Sequence, residues 1–226
     1  MTSLKLVIFD VDGTLVDSQG AIVGAMTAAL NAEGLDVPDR AAILSIVGLS
    51  LDHAVARLLP ELDAGLRARV VAGYKDAFHA QRKAGAAEAA SPLYPGIREL
   101  LDALAVRDEI LMGVATGKSR RGLDALIEGH GLERYFVTRQ CADDHPSKPH
   151  PSMVLTALVE AGVDAHDAVM VGDTSYDMEM AHAAGVAGLG VSWGYHAPDA
   201  LHMARHVVHS ADDMGPALQT LWGIPA

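Results

Sequence analysis

The chain has 226 residues, half of them hydrophobic and a fifth charged, which is enough to bury a sizeable core in one or two domains and too apolar for a disordered chain. Seventeen basic against 29 acidic residues leave a formal charge of −12, which argues against nonspecific binding to nucleic acid or to an anionic membrane surface. The single cysteine, Cys141, excludes an intramolecular disulfide. With no apolar run of about 18 residues and no cleavage-site pattern in MTSLKLVIFD, the expectation is a cytoplasmic protein without a membrane partner.

Taken in chain order, Leu4 to Phe9 is a short apolar run that predicts a buried strand ending at Asp10. From residue 17 to 87 the apolar residues recur at helical spacing, as at Ile22, Val23, Met26, Ala29 and Leu30, and no strand-like run interrupts them. The Ala-rich stretch 84–90 followed by SPLYPG reads as a linker. Beyond it, Ile97, Leu100, Leu101 and Leu104 predict a helix, and Ile110–Ala115 a strand ending at Thr116. Lys118 is expected to start a helix, and RQCADDHP reads as an acidic stretch holding a structural Cys141. Val154, Leu155, Leu158 and Val159 predict a helix ending before Gly162. Ala168–Val171 predicts a strand ending at Gly172-Asp173, with weaker strand signals at Ala187–Trp193 and His206–His209. Strands alternating with helices give an α/β fold whose parallel sheet is covered on both faces. The expected organisation is an α/β core of residues 1–16 and 88–226, with a helical domain of residues 17–87 inserted after the first strand.

Ligands of open parallel sheets bind beyond the carboxyl ends of the strands, so the polar residues there carry the functional reading. They are Asp10-Val11-Asp12-Gly13-Thr14, then Thr116-Gly117-Lys118-Ser119, Lys148 in SKPHP, and Gly172-Asp173-Thr174-Ser175-Tyr176-Asp177. Four carboxylates sharing a small volume at neutral pH call for a cation, and hard oxygen ligands suit Mg²⁺. A carboxylate nucleophile, a positive clamp and a proton donor are the parts that phosphoryl transfer requires.

Together D10-V-D12-G-T14, T116 after an apolar strand, K148-P and G172-D173-T-S-Y-D177 resemble the haloacid dehalogenase superfamily of phosphohydrolases, over nearly the whole chain. Its phosphoglycolate phosphatase-like branch is the nearest in pattern, through YPG, SKPHP and GDTSYDMEMAHAAG. The resemblance implies a Rossmann-like three-layer core with an inserted helical cap, and a phosphatase acting on a small phosphorylated metabolite through an aspartyl phosphate. It makes Asp10 the nucleophile and Asp12 the general acid and then base. Thr116 and Lys148 hold the phosphoryl oxygens, and Gly13 and Gly117 admit backbone N–H groups to them. Mg²⁺ is held by Asp10, the Asp12 carbonyl and Asp173, with Asp177 acting through water. A monomer or homodimer is expected.

Several nearby patterns are set aside. Gly113 to Ser119 imitates a phosphate-binding loop with one residue too few before Gly-Lys. DVDGTL lacks the glycine of a calcium loop at its sixth position. Among the eleven histidines, no His-x₃-His pair on a predicted helix supports zinc. In the insert, Arg40, Arg57, Lys75, Arg82 and Lys83 are candidates to meet the leaving group, and Gly48-Leu49-Ser50 is a helix break expected to set a loop over the site, with Ser50 and His53 as specificity positions. A mutase of the beta-phosphoglucomutase type, a pyrophosphatase and a non-catalytic binding module are the alternatives.

Overall fold

The computed structural model describes residues 3–84 and 91–223, the side chains of 82–84 apart; the predicted linker at 85–90 lies outside the described residues. Strand β1 (Lys5–Phe9) is followed by four helices, α1 (Gln19–Ala32), α2 (Arg40–Ser45), α3 (Leu51–Leu58) and α4 (Ala64–Ala84). Then come α5 (Ile97–Ala105), β2 (Ile110–Thr116), α6 (Arg120–His130), β3 (Phe136–Cys141) and α7 (Ser152–Ala161). The chain ends through β4 (Ala168–Gly172), α8 (Ser175–Ala183), β5 (Ala187–Val191), β6 (His206–Val208) and α9 (Met214–Leu221).

The six strands form one sheet in the order β3-β2-β1-β4-β5-β6, and every neighbouring pair is parallel. Because side chains alternate across a strand, Val7 and Phe9 of β1 and Val169 and Val171 of β4 face one layer, which contains Leu101 of α5, Ile127 of α6 and Leu218 of α9. Leu6, Ile8 and Met170 face the other, with Val154 and Ala157 of α7 and Met180 of α8. Burial on both faces is why these strands read as unbroken apolar runs. The chain lays β2 and β3 outward on one side of β1, then returns to place β4 on the other, so the order reverses between β1 and β4. A crevice opens there at the carboxyl ends.

Strand β3 departs from expectation: no strand is predicted over FVTRQC, whose last three residues open the acidic stretch RQCADDHP. As an edge strand it keeps Val137 exposed, while Thr138 and Gln140, though buried, bond Glu160 Oε2 of α7 at 2.6 and 2.7 Å. A strand that meets a polar helix edge and solvent has no apolar pattern to display.

The four helices after β1 pack mainly through α1 against α4, around a cluster of their own that includes Met26, Leu30, Ile43, Val55 and Val70. The two chain crossings that lead into and out of this helical part are tied together. Val16 pairs antiparallel with Leu93, Asp17 N–H donates to Pro92 O at 2.8 Å, and Tyr94 N–H donates to Leu15 O at 3.0 Å.

Candidate active site

The loop after β1 turns back at once: the N–H groups of Thr14, Leu15 and Val16 all reach Val11 O, and Gly13 N–H donates to Val16 O. Gly13 adopts φ +85°, and a Cβ there would stand 2.2 Å from Asp173 Oδ2. This turn places Asp10 in the crevice, where its N–H donates to Val171 O of β4 at 2.9 Å. Asp10 is 1% exposed, and neither of its oxygens accepts a hydrogen bond of good geometry. Its nearest cation is Lys148 Nζ, 2.8 Å from Oδ1.

Lys148 is fully buried and donates to Asp177 Oδ1 at 2.6 Å. Asp177 stands at the third position of α8, and its Oδ2 accepts from Thr174 N–H (3.1 Å) and Thr174 Oγ1 (2.7 Å) while its own N–H returns to Thr174 Oγ1. This capping box spends Asp177 on the helix start, yet the same side chain also holds the lysine. Asp173, at the end of β4, accepts from Thr14 Oγ1 at 2.9 Å and from Tyr195 N–H at 2.8 Å. Gly194 packs so closely on it that a Cβ there would lie 2.1 Å from the Asp173 Cβ.

Asp10, Asp173 and Asp177 each offer a carboxylate oxygen within 4.8 Å of the others, in a fully buried group. Burial, then the charge of Asp177 and that of Asp12, push the Asp10 carboxyl up to about 7 against the pull of Lys148. Burial followed by the charges of Asp177 and Asp10 raises Asp173 well above the usual carboxylate range. For Lys148, burial alone would lower the ammonium, but Asp10 and Asp177 outweigh it and hold it above its ordinary value. Three buried carboxylates against one ammonium, with Asp10 Oδ2 meeting no donor among the described residues, form a donor set suited to a hard divalent cation.

Asp12 points to a different neighbourhood. Lys118 Nζ reaches both of its oxygens at 2.7 Å, and Ser18 Oγ donates to Oδ1 at 2.5 Å. Ser18 Oγ in turn lies 2.9 Å from Tyr195 Oη, which accepts from Ser18 N–H at 3.0 Å. With the Ser18 proton on the Asp12 carboxylate, Tyr195 must donate to Ser18. Lys118 therefore does not start a helix: α6 begins at Arg120 with Ser119 as its cap, and Lys118 belongs to the site. Its residue type and position after Thr116 were visible, but only the folded chain brings it to Asp12. Ser18, Tyr195 and Gly194 carried no sequence signal for the same reason.

Thr116 is buried at the end of β2, and its Oγ1 accepts from Lys118 N–H at 3.3 Å. Gly117 meets the helical part: a Cβ there would be 2.5 Å from Gly48 O and 2.6 Å from Leu49 O. The Gly48-Leu49-Ser50 break thus sits directly on the β2 loop, with Ser50 N–H donating to Ser147 Oγ at 2.9 Å. Asp10, Asp12, Thr116 and Gly117 open onto a cavity of about 580 Å³ whose other walls include Met26, Leu51, Tyr74 and Phe78 from the helical part and His145 and Ser147 from the loop before Lys148. Of the cations proposed in the insert, Lys75 lines this cavity, Arg40 bonds Gln19, and Arg57 lies over the Tyr176 ring. The side chains of Arg82 and Lys83 lie outside the described residues. Ser50 and His53 also line the cavity and bond each other at 2.9 Å.

The family model for haloacid dehalogenase-like hydrolases matches residues 7–191. The chain belongs to the haloacid dehalogenase-like hydrolases. Among the relatives of this hydrolase is a probable phosphatase, IndB, of Dickeya dadantii, 41% identical over 204 residues that span 88% of this chain and 86% of that one. A phosphoglycolate phosphatase of Rhodospirillum rubrum is 35% identical, covering 84% and 80% of the two chains. A predicted phosphatase from Clostridium acetobutylicum shares the fold at a TM-score of 0.85 and 25% identity, over 97% of this chain and all of that one. This hydrolase is accordingly an enzyme of the phosphoric monoester hydrolase class. Among the described residues, no helix is long and apolar enough to cross a membrane.

Proposed function

We propose that the protein is a Mg²⁺-dependent phosphatase that hydrolyses a small phosphomonoester, of the kind phosphoglycolate represents, through an aspartyl phosphate on Asp10. The observation that carries the reading is the Asp10 carboxylate, buried with Oδ1 beside Lys148 and with Oδ2 meeting no hydrogen-bond donor among the described residues, facing a cavity that also holds Asp12. An oxygen without donors keeps its lone pairs for attack on phosphorus.

Asp10, the Asp12 backbone carbonyl and Asp173 would hold Mg²⁺, with Asp177 reaching it through water because Thr174 and Lys148 already engage both of its oxygens. When bound, the ion neutralises charge on the transferring phosphoryl group and on the carboxylates around it. Lys148 fixes Asp10 and offers positive charge to the phosphoryl oxygens. Thr116 Oγ1 stands at the end of β2 to bind one of them. Asp12, protonated from solvent and released from Lys118 as substrate binds, delivers that proton to the departing alcohol oxygen as the P–O bond breaks, then takes one from the water that attacks the aspartyl phosphate, which returns Asp10 and releases phosphate. The helical residues 17–87 act as a cap that excludes bulk water from these steps.

The reading is tested with the purified chain and Mg²⁺ by releasing phosphate from an alkyl phosphate and trapping the phosphorylated enzyme by rapid quench and peptide mass spectrometry. A phosphate mass on the peptide containing Asp10 is expected. Turnover without it, or in the presence of a chelator, would overturn the proposal.

A further inference from the structure

We infer that the alcohol released by this enzyme is uncharged, ring-sized and larger than glycolate, and that Leu51, Tyr74 and Phe78 of the helical part select it. The inference rests on the phosphatase reading above and, within the phosphomonoesters, moves the substrate away from phosphoglycolate.

Size is the first ground. The cavity that opens from Asp10 and Asp12 measures about 580 Å³. At roughly 30 Å³ per water it holds the equivalent of about nineteen waters. Phosphoglycolate, with about nine non-hydrogen atoms, fills less than half of that space on the same scale. A ligand that leaves most of a pocket wet gains little from its walls, whereas pockets normally enclose most of the ligand they select.

The second ground is the chemistry of the walls. Away from the carboxylates the lining combines an apolar group, Met26, Val47, Leu51, Tyr74 and Phe78, with polar side chains that include His53, His79, Arg121 and His145. The Tyr74 and Phe78 rings lie one helical turn apart on α4 and stack with centroids 5.8 Å apart and planes inclined by 22°. Both rings line the cavity, and together they give one side of it an aromatic wall.

Charge is the third. Recognition of a glycolate carboxylate calls for a cation inside the cavity that is ready to meet it. Lys118 already gives its ammonium to both Asp12 oxygens and lies over the Phe78 ring, 5.1 Å from its centre. Arg121 Nη2 donates to His79 Nε2 at 2.8 Å, and Lys75 is solvent-exposed at the margin. A carboxylate entering here would have to draw Lys118 from Asp12 or Arg121 from His79, or meet the solvated Lys75.

The test compares benzyl phosphate, phosphoglycolate and acetyl phosphate with the Mg²⁺-loaded full chain. Acetyl phosphate reports the core chemistry with little leaving group to recognise. Benzyl phosphate is expected to exceed phosphoglycolate in kcat/KM by at least about tenfold, the scale on which apolar contacts discriminate. Leu51→Trp, which fills the cavity, and Phe78→Ala, which removes the stacking ring, should each lower the ratio of benzyl to acetyl phosphate kcat/KM at least about fivefold, chiefly through KM for benzyl phosphate. Because the ratio is taken within one preparation, partial misfolding does not imitate the effect. Phosphoglycolate preferred over benzyl phosphate, or an unchanged ratio in both variants, would overturn the inference while leaving the phosphatase reading intact. Failure to turn over acetyl phosphate as well would overturn both.

Discussion

Replacing Lys148 with methionine keeps the length of the side chain and removes the ammonium that stands between Asp10 and Asp177 at 2.8 and 2.6 Å. Both carboxylates are buried, so the variant must either hold uncompensated charge in the interior or protonate. Breaking a buried pair from one side costs about 3–5 kcal/mol. In a chain of this size that corresponds to a loss of about 6–20 °C in Tm. The cost depends on pH in a defined direction. Asp10 is raised from 3.8 to about 7 in the fold, so the folded metal-free protein binds more protons than the unfolded chain between those values, and its stability falls as pH rises through that window. Lys148 lowers the Asp10 carboxyl, so its removal extends the window upward. At pH 8 the full 3–5 kcal/mol is expected, and at pH 5, where Asp10 is largely protonated with or without the lysine, about 1–2 kcal/mol. Urea unfolding of both proteins in chelator at the two pH values measures the difference. An equal loss at pH 5 and pH 8, or a loss below about 1 kcal/mol at pH 8, would refute the account of Lys148 as a counter-ion inside an acidic cluster.

Four further outcomes follow from the same geometry. Mg²⁺ at saturating concentration should raise Tm more at pH 8 than at pH 5, because binding at pH 5 must displace the proton on Asp10; thermal melts at the two pH values check this. Gly13→Ala forces a Cβ to within 2.2 Å of Asp173 Oδ2 at a positive φ, and should weaken Mg²⁺ binding about 10–100-fold by calorimetry. Asp10→Asn should lower turnover by at least about 10⁴-fold with its Tm in chelator at pH 8 unchanged or raised, since a buried charge is removed. Tyr195→Phe and Ser18→Ala should each slow hydrolysis of alkyl phosphates more than of nitrophenyl phosphate, whose leaving group needs no acid, and their effects should be less than additive because they act on Asp12 through one chain of hydrogen bonds.

Three of the four motif segments were legible because each stands where a buried parallel strand stops, and a strand buried on both faces announces itself as an apolar run; Lys148, in the loop past β3, was legible only through its SKPHP pattern. That condition held for β1, β2 and β4, whose ends carry Asp10, Thr116 and Asp173. It failed for β3, where the sheet edge faces solvent and Glu160, so half of the strand is polar. Lys118 was visible but misassigned: its position before Ser119 suggested a helix start, whereas its role depends on a contact 106 residues away in sequence. Ser18 and Tyr195 stand 177 residues apart and meet only because β5 ends beside the β1 loop. Local pattern carries no information about such pairings. Gly117 was expected beside a phosphoryl group for its small size, and what the fold sets against it is the carbonyl pair of Gly48 and Leu49, a use of the same missing Cβ that depends on how the helical part is seated.

The antiparallel bridge between Val16 and Leu93 joins the outgoing and returning chain at a single point beside the nucleophile loop. The helices meet the core again where Gly48 and Leu49 press on Gly117, while the backbone that follows Asp10 is held by its own turn from Val11 to Val16. A graft cut just past Ser18, which bonds Asp12, and before Leu93 would exchange the helices as a cassette while the loop that carries Asp10 and Asp12 keeps its own partners.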